Sequence, residues 1–130
     1  MIFLCDYYNQ ASKDLAYSLQ AAGYDATTVV INPDGFLPQG ALSPFTYYVE
    51  AAEETGKPRF FNQVPVPAFW EISGNNQMAR VSNLTEERAR ITYPEGSKAR
   101  IVKSVEWLDK SGKIRQVDHY NKYGFCFAKT

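Results

Sequence analysis

Few residues of this chain have the types and spacing that catalysis or metal binding requires. The sequence has one histidine, His119, and two cysteines, Cys5 and Cys126, so a Cys–His pair is the nucleophilic arrangement that it could offer. Both cysteines stand among large apolar residues, which favours buried, unreactive thiols that stay reduced in a cytosolic protein. No cysteine or histidine pair has the spacing of metal ligands. We therefore predict no catalytic residue and no metal site.

The turn that follows the first apolar run contains no glycine. It reads DYYNQAS from Asp6 to Ser12, and it lacks both the dinucleotide-binding fingerprint and the phosphate-binding P-loop. The carboxylate pairs, such as Glu53–Glu54 and Glu86–Glu87, consist of adjacent residues that point in different directions, as on a solvated turn or helix end. The sequence therefore predicts no cofactor and no pair of acids for glycoside chemistry.

Aromatic side chains are the remaining candidates for a functional surface. The chain has nine tyrosines, eight phenylalanines and two tryptophans. Such side chains suit surfaces that are part apolar and part wet, such as a protein interface or a sugar platform, although core packing explains most of them equally well. The candidates for partner binding are Phe60, Phe61, Phe69, Trp70, Trp107, Tyr120 and Tyr123.

The charge of the chain argues against nucleic acid as a partner. Its 130 residues fit one domain, and 14 basic residues balance 14 acidic ones, whereas binding to a phosphate backbone needs a clustered basic excess. No apolar run approaches the roughly 20 residues that span a bilayer. The opening MIFLC is followed at once by Asp6, so it lacks the apolar length of a signal peptide. We expect a cytoplasmic protein.

The elements that would carry these residues begin with a β-α-β unit. Ile2 to Tyr8 is a short apolar run and Thr27 to Ile31 is β-branched throughout, so both are predicted to be strands. A strand, a helix of about three turns and a second strand imply parallel pairing through a right-handed crossover. This order of elements begins a nucleotide-binding type of fold, but without its site the fold implies no function.

The helix between these strands has recognisable ends. Ser12 is predicted as its N-cap, because a serine hydroxyl can accept a hydrogen bond from an amide of the first turn. Gly23 is predicted to end it, because glycine adopts the left-handed conformation at little cost. Leu15, Leu19 and Ala22 recur at helical spacing and predict one apolar stripe.

The region that follows, up to Pro58, is harder to assign. Asn32 to Gly35 predicts a turn in which the proline presets φ and Gly35 supplies a positive φ. Phe45 to Val49 has strand composition and Glu50 to Thr55 looks helical. The type of element over these residues therefore stays open.

From Arg59 onward, short extended runs alternate with glycine-bearing turns, which predicts an antiparallel meander. Apolar and polar residues mix on both faces of these runs, as along Ile101 to Asp109. We therefore expect a sheet that is wetted over much of both faces or covered by something outside the chain. The predicted strands run over 69–73, 77–82, 88–93, 99–108, 113–120 and 125–128.

The stretch FFNQVPVPAFWEI, from Phe60 to Ile72, has the apolar weight of a core strand but contains Pro65 and Pro67. Proline cannot donate to a β-ladder, which argues against a paired strand there. We predict a strand end at Phe60–Phe61, a rigid extended crossing through the prolines and a new strand from Phe69. The aromatic residues at its ends would anchor the joint between the β-α-β unit and the meander.

Several segments together resemble one known family, and in combination they are quite specific. They are FLCDYYNQ, DGFLP, LSPFTY, FFNQVPVPAFWEI with GNN, VEWLDKSG and DHYNKYG. On these motifs the chain resembles the glycosyltransferase-stabilising protein of the accessory Sec system of Gram-positive bacteria. The resemblance runs over essentially all 130 residues.

The resemblance implies a non-catalytic accessory subunit. Proteins of this family act as chaperone and co-activator of a transferase that adds N-acetylglucosamine to serine-rich-repeat adhesins. The implied partners are the catalytic glycosyltransferase subunit and the adhesin polypeptide as acceptor. The implied fold class is α+β, with a short, partly Rossmann-like β-α-β segment over residues 1–58 packed as one unit with an extended antiparallel β-meander over 59–130. Family members are several times longer, so the chain resembles their N-terminal region.

Two other functions stay open at this point. A related meander occurs in teichoic-acid glycosyltransferases, so the chain could be the N-terminal lobe of a catalytic transferase for teichoic acid or protein. The aromatic residues could instead form a carbohydrate-binding module. Self-association through an exposed strand edge is a further expectation for the chain. The resemblance also leaves open a peripheral position at the inner face of the cell membrane.

Overall fold

The protein is mostly β, with two separate sheets and little helix. The computed structural model describes residues 1–38, 40–47 and 56–130. One sheet has two strands from the first third of the chain, and the other has six strands from the second half. The predicted antiparallel β-meander is therefore confirmed. The Rossmann-like character of the start is limited to a single β-α-β unit in the residues that are described.

The first sheet is this β-α-β unit. Strand β1 (Ile2–Cys5) pairs in parallel with β2 (Thr27–Val30), and helix α1 (Gln10–Ala21) connects them. In the register Cys5 lies opposite Val30. The β-branched residues of β2 favour its extended backbone, and the intervening helix gives the chain the length that a parallel crossover needs. Both predicted strands and the predicted helix are confirmed, with shorter strands.

Helix α1 is capped at both ends, but its N-cap is Asn9 and not the predicted Ser12. The Asn9 Oδ1 atom accepts from the Ser12 amide at 3.0 Å, and the Asn9 amide donates to Ser12 Oγ at 2.9 Å. This reciprocal capping box satisfies two amides, and it places Ser12 at the third helical position. At the other end Gly23 has a φ of 90° and the Tyr24 amide donates to the Leu19 carbonyl at 3.0 Å, as in a Schellman motif. The prediction that Gly23 ends the helix is confirmed.

The apolar side chains of this unit are largely uncovered. Ile2 and Leu4 of β1 are 70% and 60% exposed, and Leu15 of α1 is 53% exposed. The stripe predicted on α1 is therefore only partly covered, with Leu19 half-buried and Ala22 exposed. Val30 of β2, in contrast, is fully buried.

The segment after β2 leads to the second sheet. Asp34 is buried and its Oδ1 atom accepts from the Phe36 amide at 2.9 Å, which gives the predicted turn an Asx geometry. Gly35 does not have the positive φ that the sequence predicted. Its backbone instead forms a bridge with Asn121, and a Cβ atom on residue 35 would collide with the Asn121 backbone. Glycine is needed here for the close approach of two chain segments.

A short helix, α2 (Pro44–Tyr47), occupies a position where the composition of Phe45 to Val49 favours a strand. The Ser43 hydroxyl accepts from the Phe45 amide at 3.3 Å, and the proline that opens the helix has no amide to leave unpaired. The helical-looking run Glu50 to Thr55 lies outside the described residues. Among the helices that are described, none has the length and apolar character needed to cross a membrane.

The second sheet is a six-stranded antiparallel meander in which each strand pairs with the next along the chain. Its bounds differ from the prediction mainly over Ala99 to Leu108, where Ile101 makes only an isolated bridge with Phe60. Arg100 has a φ of 57°, and this left-handed residue interrupts the extended run. The strands are β3 (Glu71–Gly74), β4 (Ala79–Asn83), β5 (Glu86–Thr92), β6 (Ser104–Leu108), β7 (Ile114–Tyr120) and β8 (Cys126–Lys129).

The core of the protein lies on one face of this meander. Val81, Ile91 and Val105, from three neighbouring strands, have no exposed surface. Burial of each such side chain contributes about 1.5–3 kcal/mol. The register pairs Arg90 with Glu106 between the same strands, on the opposite face. The two faces therefore differ, and the expectation that both are wetted or covered from outside the chain is wrong for the face that the chain itself buries.

The proline-containing stretch covers this core. After a 3-10 turn (Phe61–Gln63), Val64 and Val66 pack against the core cluster, whereas Pro65 and Pro67 are exposed. Side chains of an extended backbone alternate with period two, so the valines point inward and the prolines point outward. The missing proline amides need no partner on that side. The predicted extended crossing is confirmed, and it acts as a cover for the sheet.

The two sheets meet at the loop 121–125, between β7 and β8. The Lys122 amide donates to the Gly35 carbonyl at 3.0 Å, which ties this loop to the segment after β2. Arg59 Nε donates to the Gly124 carbonyl at 3.2 Å, which ties the loop to the chain that enters the meander. The joint of the molecule therefore lies at this loop, and the prediction that the proline-containing stretch forms it is wrong.

Candidate partner-binding surface

Four of the seven candidate aromatic residues lie in the core of the meander or against it. Tyr120 belongs to the buried cluster, and Phe61, Trp70 and Trp107 are half-buried and pack against that cluster. The structure therefore brings these four side chains to one face of the sheet. Because the chain itself covers most of their surface, their main contribution is to packing.

Polar and cationic groups fix the two tryptophans in these positions. Trp107 Nε1 donates to Asp118 Oδ2 at 2.9 Å. The guanidinium carbon of Arg88 lies 5.7 Å from the centre of the Trp70 ring, and Arg88 also pairs with Glu86 at 2.9 Å. The Arg88 guanidinium therefore lies over a face of Trp70 that a sugar platform would need free, whereas the hydrogen bond of Trp107 fixes the edge of its ring.

Tyr123 lies in the loop 121–125 at the joint of the two sheets, and Phe60 forms an isolated bridge with Ile101 in the meander. The ring centre of Phe60 is 5.0 Å from that of Phe61. Tyr123 is half-buried, and Lys122 Nζ lies 5.6 Å from its ring centre. Burial raises the pKa of the neighbouring Tyr120 hydroxyl, which therefore stays uncharged at neutral pH. Tyr123 therefore belongs to the joint, and Phe60 belongs to the meander.

Phe69 is the candidate that is almost completely exposed, at 98%. Its φ is 70°, in a region that residues with a Cβ atom rarely adopt. A left-handed residue cannot continue an extended strand, so β3 begins at Glu71 and not at Phe69. The expectation that Phe69 anchors the stretch in the core is wrong, because Trp70 takes that position.

Leu84 has the same unusual properties and is not among the residues that the sequence singled out. It is 94% exposed and has a φ of 55°. It lies in the two-residue loop between β4 and β5, where Asn83 pairs with Glu86. Glycine and asparagine are the residues that such loops favour at a positive φ. A leucine in the middle of a short hairpin loop is the signal that could have identified it.

The Cys–His combination is not assembled in the structure. His119 Nε2 lies 3.0 Å from Thr130 Oγ1, whereas Cys126 Sγ donates to the Ala128 carbonyl at 3.7 Å. Burial raises the pKa of the Cys126 thiol and lowers the pKa of His119, so both groups are uncharged near neutral pH. Both cysteines are free thiols, and Cys126 is exposed where burial was predicted. In the described part of the chain, no three potential metal-ligating side chains cluster.

A cleft of about 360 Å³ opens between the β-α-β unit and the meander. Lys13 and Lys103 line it together with Asp34 and Glu95, so its charges balance. Tyr8 adds an aromatic side. The cleft could hold a neutral segment that is part polar and part apolar, and its charges favour neither an anion nor a cation.

Two models of one protein family match the chain. The GtfB N-terminal domain matches residues 2–48, and the GtfB middle domain matches residues 70–130. The first match contains the β-α-β unit, and the second contains the whole meander. The division of the chain into residues 1–58 and 59–130 stays a prediction.

Named relatives match the chain over its full length. The UDP-N-acetylglucosamine–peptide N-acetylglucosaminyltransferase stabilizing protein GtfB of Streptococcus gordonii is 56% identical over 130 residues, and that of Streptococcus pneumoniae is 57% identical. These matches cover 100% of this chain but 29% of each relative. A solved GtfA/B complex bound to UDP and GlcNAc contains a chain that is 56% identical, with a TM-score of 0.80 and the same coverage of 100% and 29%. From both domains and these relatives, the chain belongs to the GtfB family.

Proposed function

We propose that the chain is the N-terminal interaction region of a non-catalytic subunit that stabilises and co-activates a protein O-GlcNAc transferase. The observation that carries this proposal is the identity of 56% and 57%, over all 130 residues, to proteins named as stabilising proteins of such an enzyme. The partner is the catalytic glycosyltransferase subunit. Because the chain spans 29% of these relatives, the proposal concerns the contribution of this part to the whole subunit.

The geometry of the meander supports an interaction function. Its core is closed by the chain's own covering stretch, so the sheet can serve as a rigid platform. Most of its aromatic residues pack inward, and Phe69 remains as a large exposed side chain. Protein interfaces obtain most of their binding energy from a few such side chains on a preorganised surface.

The β-α-β unit is, in this proposal, the start of a Rossmann-like lobe in the longer protein. Sheets of parallel strands have both faces covered in known folds. Ile2, Leu4 and Leu15 leave the unit without such a cover among the described residues. Further strands and helices of a longer chain would supply it, which fits relatives of more than three times this length.

The proposal extends to the acceptor and to the place of action. A serine-rich-repeat adhesin is the acceptor that the subunit helps to hold. The cleft between the unit and the meander, with its balanced charges and aromatic side, suits a neutral segment rich in serine and threonine. The cytoplasm, with a peripheral position at the inner face of the membrane, is the proposed location.

Co-expression of the full-length subunit with the catalytic transferase tests this function. We expect a higher soluble yield of the transferase and faster transfer of N-acetylglucosamine to a serine-rich acceptor than with an unrelated protein at equal concentration. The full-length subunit alone should transfer no sugar from UDP-N-acetylglucosamine. Sugar transfer by the isolated subunit, or an unchanged yield and rate, would overturn the proposal.

A further inference from the structure

We propose that Phe69 and Leu84 form a docking corner by which the subunit binds the catalytic transferase. The inference rests on the proposed function and adds to it the surface that makes the contact. Neither residue lies in the core, the cleft or the joint of the two sheets.

The two residues lie at the same corner of the meander. The register of β3 and β4 places Glu71 opposite Ser82. Phe69 lies two residues before Glu71, and Leu84 lies two residues after Ser82, so both occupy the same end of neighbouring strands. The loop 121–125, which joins the β-α-β unit, lies at the opposite end of the sheet. The docking corner therefore points away from the first part of the chain.

Both residues combine almost complete exposure with a backbone that disfavours them. Phe69 is 98% exposed at a φ of 70°, and Leu84 is 94% exposed at a φ of 55°. A Cβ atom makes this conformation costly, and glycine or asparagine would adopt it with less strain. A large apolar side chain that stays in water contributes no burial free energy to its own fold. The Trp70 amide donates to the Pro67 carbonyl at 3.2 Å, and the pairing of Asn83 with Glu86 closes the loop of Leu84, so each turn requires the positive φ but not a large apolar side chain. Two such exposed side chains at one corner of the sheet point to a contact with another molecule.

The docking corner rests on a fixed base. Trp70 follows Phe69 directly and packs against the core cluster. The Arg88 guanidinium lies over the Trp70 ring at 5.7 Å and pairs with Glu86 at 2.9 Å, close to the loop that carries Leu84. Apolar anchors on such a base lose little freedom on binding, which favours affinity.

The docking corner lies at the edge of the sheet opposite to the strand that leads to Thr130. Thr130 continues the last strand beside Val117, so residues that follow it would start from the β8 edge. The docking corner lies at the β3 edge of the six-stranded order, about 24 Å away at a strand spacing of about 4.8 Å. The remainder of the chain has a separate surface to cover at Ile2 and Leu4.

The partner itself is indicated by the relatives. They are named as stabilising proteins of a transferase, and a chain 56% identical to this one occurs in a solved GtfA/B complex. An exposed phenylalanine and an exposed leucine at one corner of a sheet are the kind of anchor that fills an apolar pocket at the centre of an interface. The catalytic transferase subunit is therefore the occupant to which we commit.

Asparagine substitutions in the full-length subunit separate the anchor role from a structural role. Asparagine tolerates a left-handed φ, so Phe69→Asn and Leu84→Asn should leave the melting temperature of the free subunit unchanged or raise it. Each should weaken binding to the catalytic transferase by about tenfold or more, measured as Kd by titration calorimetry. Arg100→Asn is the matched control, because Arg100 has a similar φ of 57° but lies at the opposite end of the sheet. It should leave Kd unchanged.

Each outcome bears on the docking corner. If the wild-type subunit binds the transferase and the double variant Phe69→Asn/Leu84→Asn binds it equally well, the docking corner is overturned as the contact surface. The proposed function would stand. A fall in the melting temperature of the free full-length variants would show that the subunit's own chain covers the corner, and would also overturn it. If the variants lose self-association while their Kd for the transferase is unchanged, the docking corner binds a second copy of the subunit. That result would also overturn the proposal. A wild-type subunit that forms no complex would overturn both proposals.

Discussion

The β-α-β unit and the meander use similar residues but differ in how completely they bury them. Val81 and Ile91 of the meander are fully buried, whereas Ile2 and Leu4 of the unit are mostly exposed. An antiparallel meander needs only successive hairpins and one covering stretch, and the chain supplies both. A parallel pair needs further strands and a cover on both faces, which must come from elsewhere. Local connectivity therefore decides which part of this chain can close its own core.

The same difference assigns separate roles to the two regions. A closed sheet can hold strained, exposed side chains such as Phe69 in a fixed place, because its stability does not depend on them. An open unit offers a surface for association with more of the same protein.

Removal of one core side chain should separate the two regions most clearly. Ile91→Ala should lower the free energy of unfolding by about 2–5 kcal/mol, because Ile91 has no exposed surface. Leu4→Ala in the 130-residue chain should change it by about 0.5 kcal/mol or less, because Leu4 is mostly exposed. Urea unfolding measures both. Equal losses would show that the unit shares the cooperative core of the meander.

Crowding of the joint should have the next largest effect. In Gly35→Ala the new Cβ atom collides with the Asn121 backbone, and such overpacking costs about 1–3 kcal/mol. The Lys122 amide, which donates to the Gly35 carbonyl, should then exchange its hydrogen faster in deuterium. The Val105 amide, in the middle of the sheet, is the internal control and should keep its protection. Unchanged exchange at Lys122 would show that the two sheets do not meet there.

Loss of the helix cap should have a smaller effect, limited to the open unit. Asn9→Ala removes the acceptor for the Ser12 amide and should cost about 1 kcal/mol of helix stability. Most residues of helix α1 are exposed, so hydrogen exchange along α1 should rise while exchange in the meander stays the same. Gln20→Ala, an exposed position on the same helix, is the control. Identical exchange in the two variants would contradict the capping box.

A pH effect should be the smallest, and it should come from the meander, which contains the single histidine. Burial lowers the pKa of His119 and Lys103 adds to this, while Asp118 opposes it. The folded state therefore binds this proton less readily than the unfolded state. Stability should be complete above the ordinary histidine pKa of about 6.5 and should decline as the pH falls below it.

His119→Gln tests that sign. The difference in unfolding free energy between about pH 7.5 and pH 5.5 should be smaller in the variant than in the wild type. Urea midpoints at both pH values provide the measurement. A wild type that gains stability towards pH 5.5 relative to the variant would reverse the assigned direction.

Much of the fold could be predicted because its signals are local. Gly23 ends its helix as expected, since a glycine after a helical run favours the left-handed cap. The succession of short runs and glycine-bearing turns predicts hairpins, and the meander consists of them. The N-cap of α1 lies three residues before the predicted position, because asparagine and serine can both cap a helix. Only the hydrogen bonds between Asn9 and Ser12 show that Asn9 is the cap.

The candidate surface was less accessible from the sequence. Aromatic residue types identify large side chains but not their exposure, so Trp107 and Phe69 were equivalent candidates although one packs against the core and the other lies in water. Leu84 was not among the candidates, because a leucine does not usually indicate a positive φ.

The hairpin succession, the crossover of the β-α-β unit and the family follow from residue types alone, because each depends on residues that are near one another in the chain or on motifs in a fixed order. Contacts in three dimensions determine which face of the meander is the core. The alternation of valine and proline over Val64 to Pro67 gives the covering stretch two faces, but it does not say which of them contacts the sheet. Such contacts also determine that Gly35 serves close approach to Asn121. Both outcomes depend on contacts between segments far apart in the chain, which residue types and spacing do not specify.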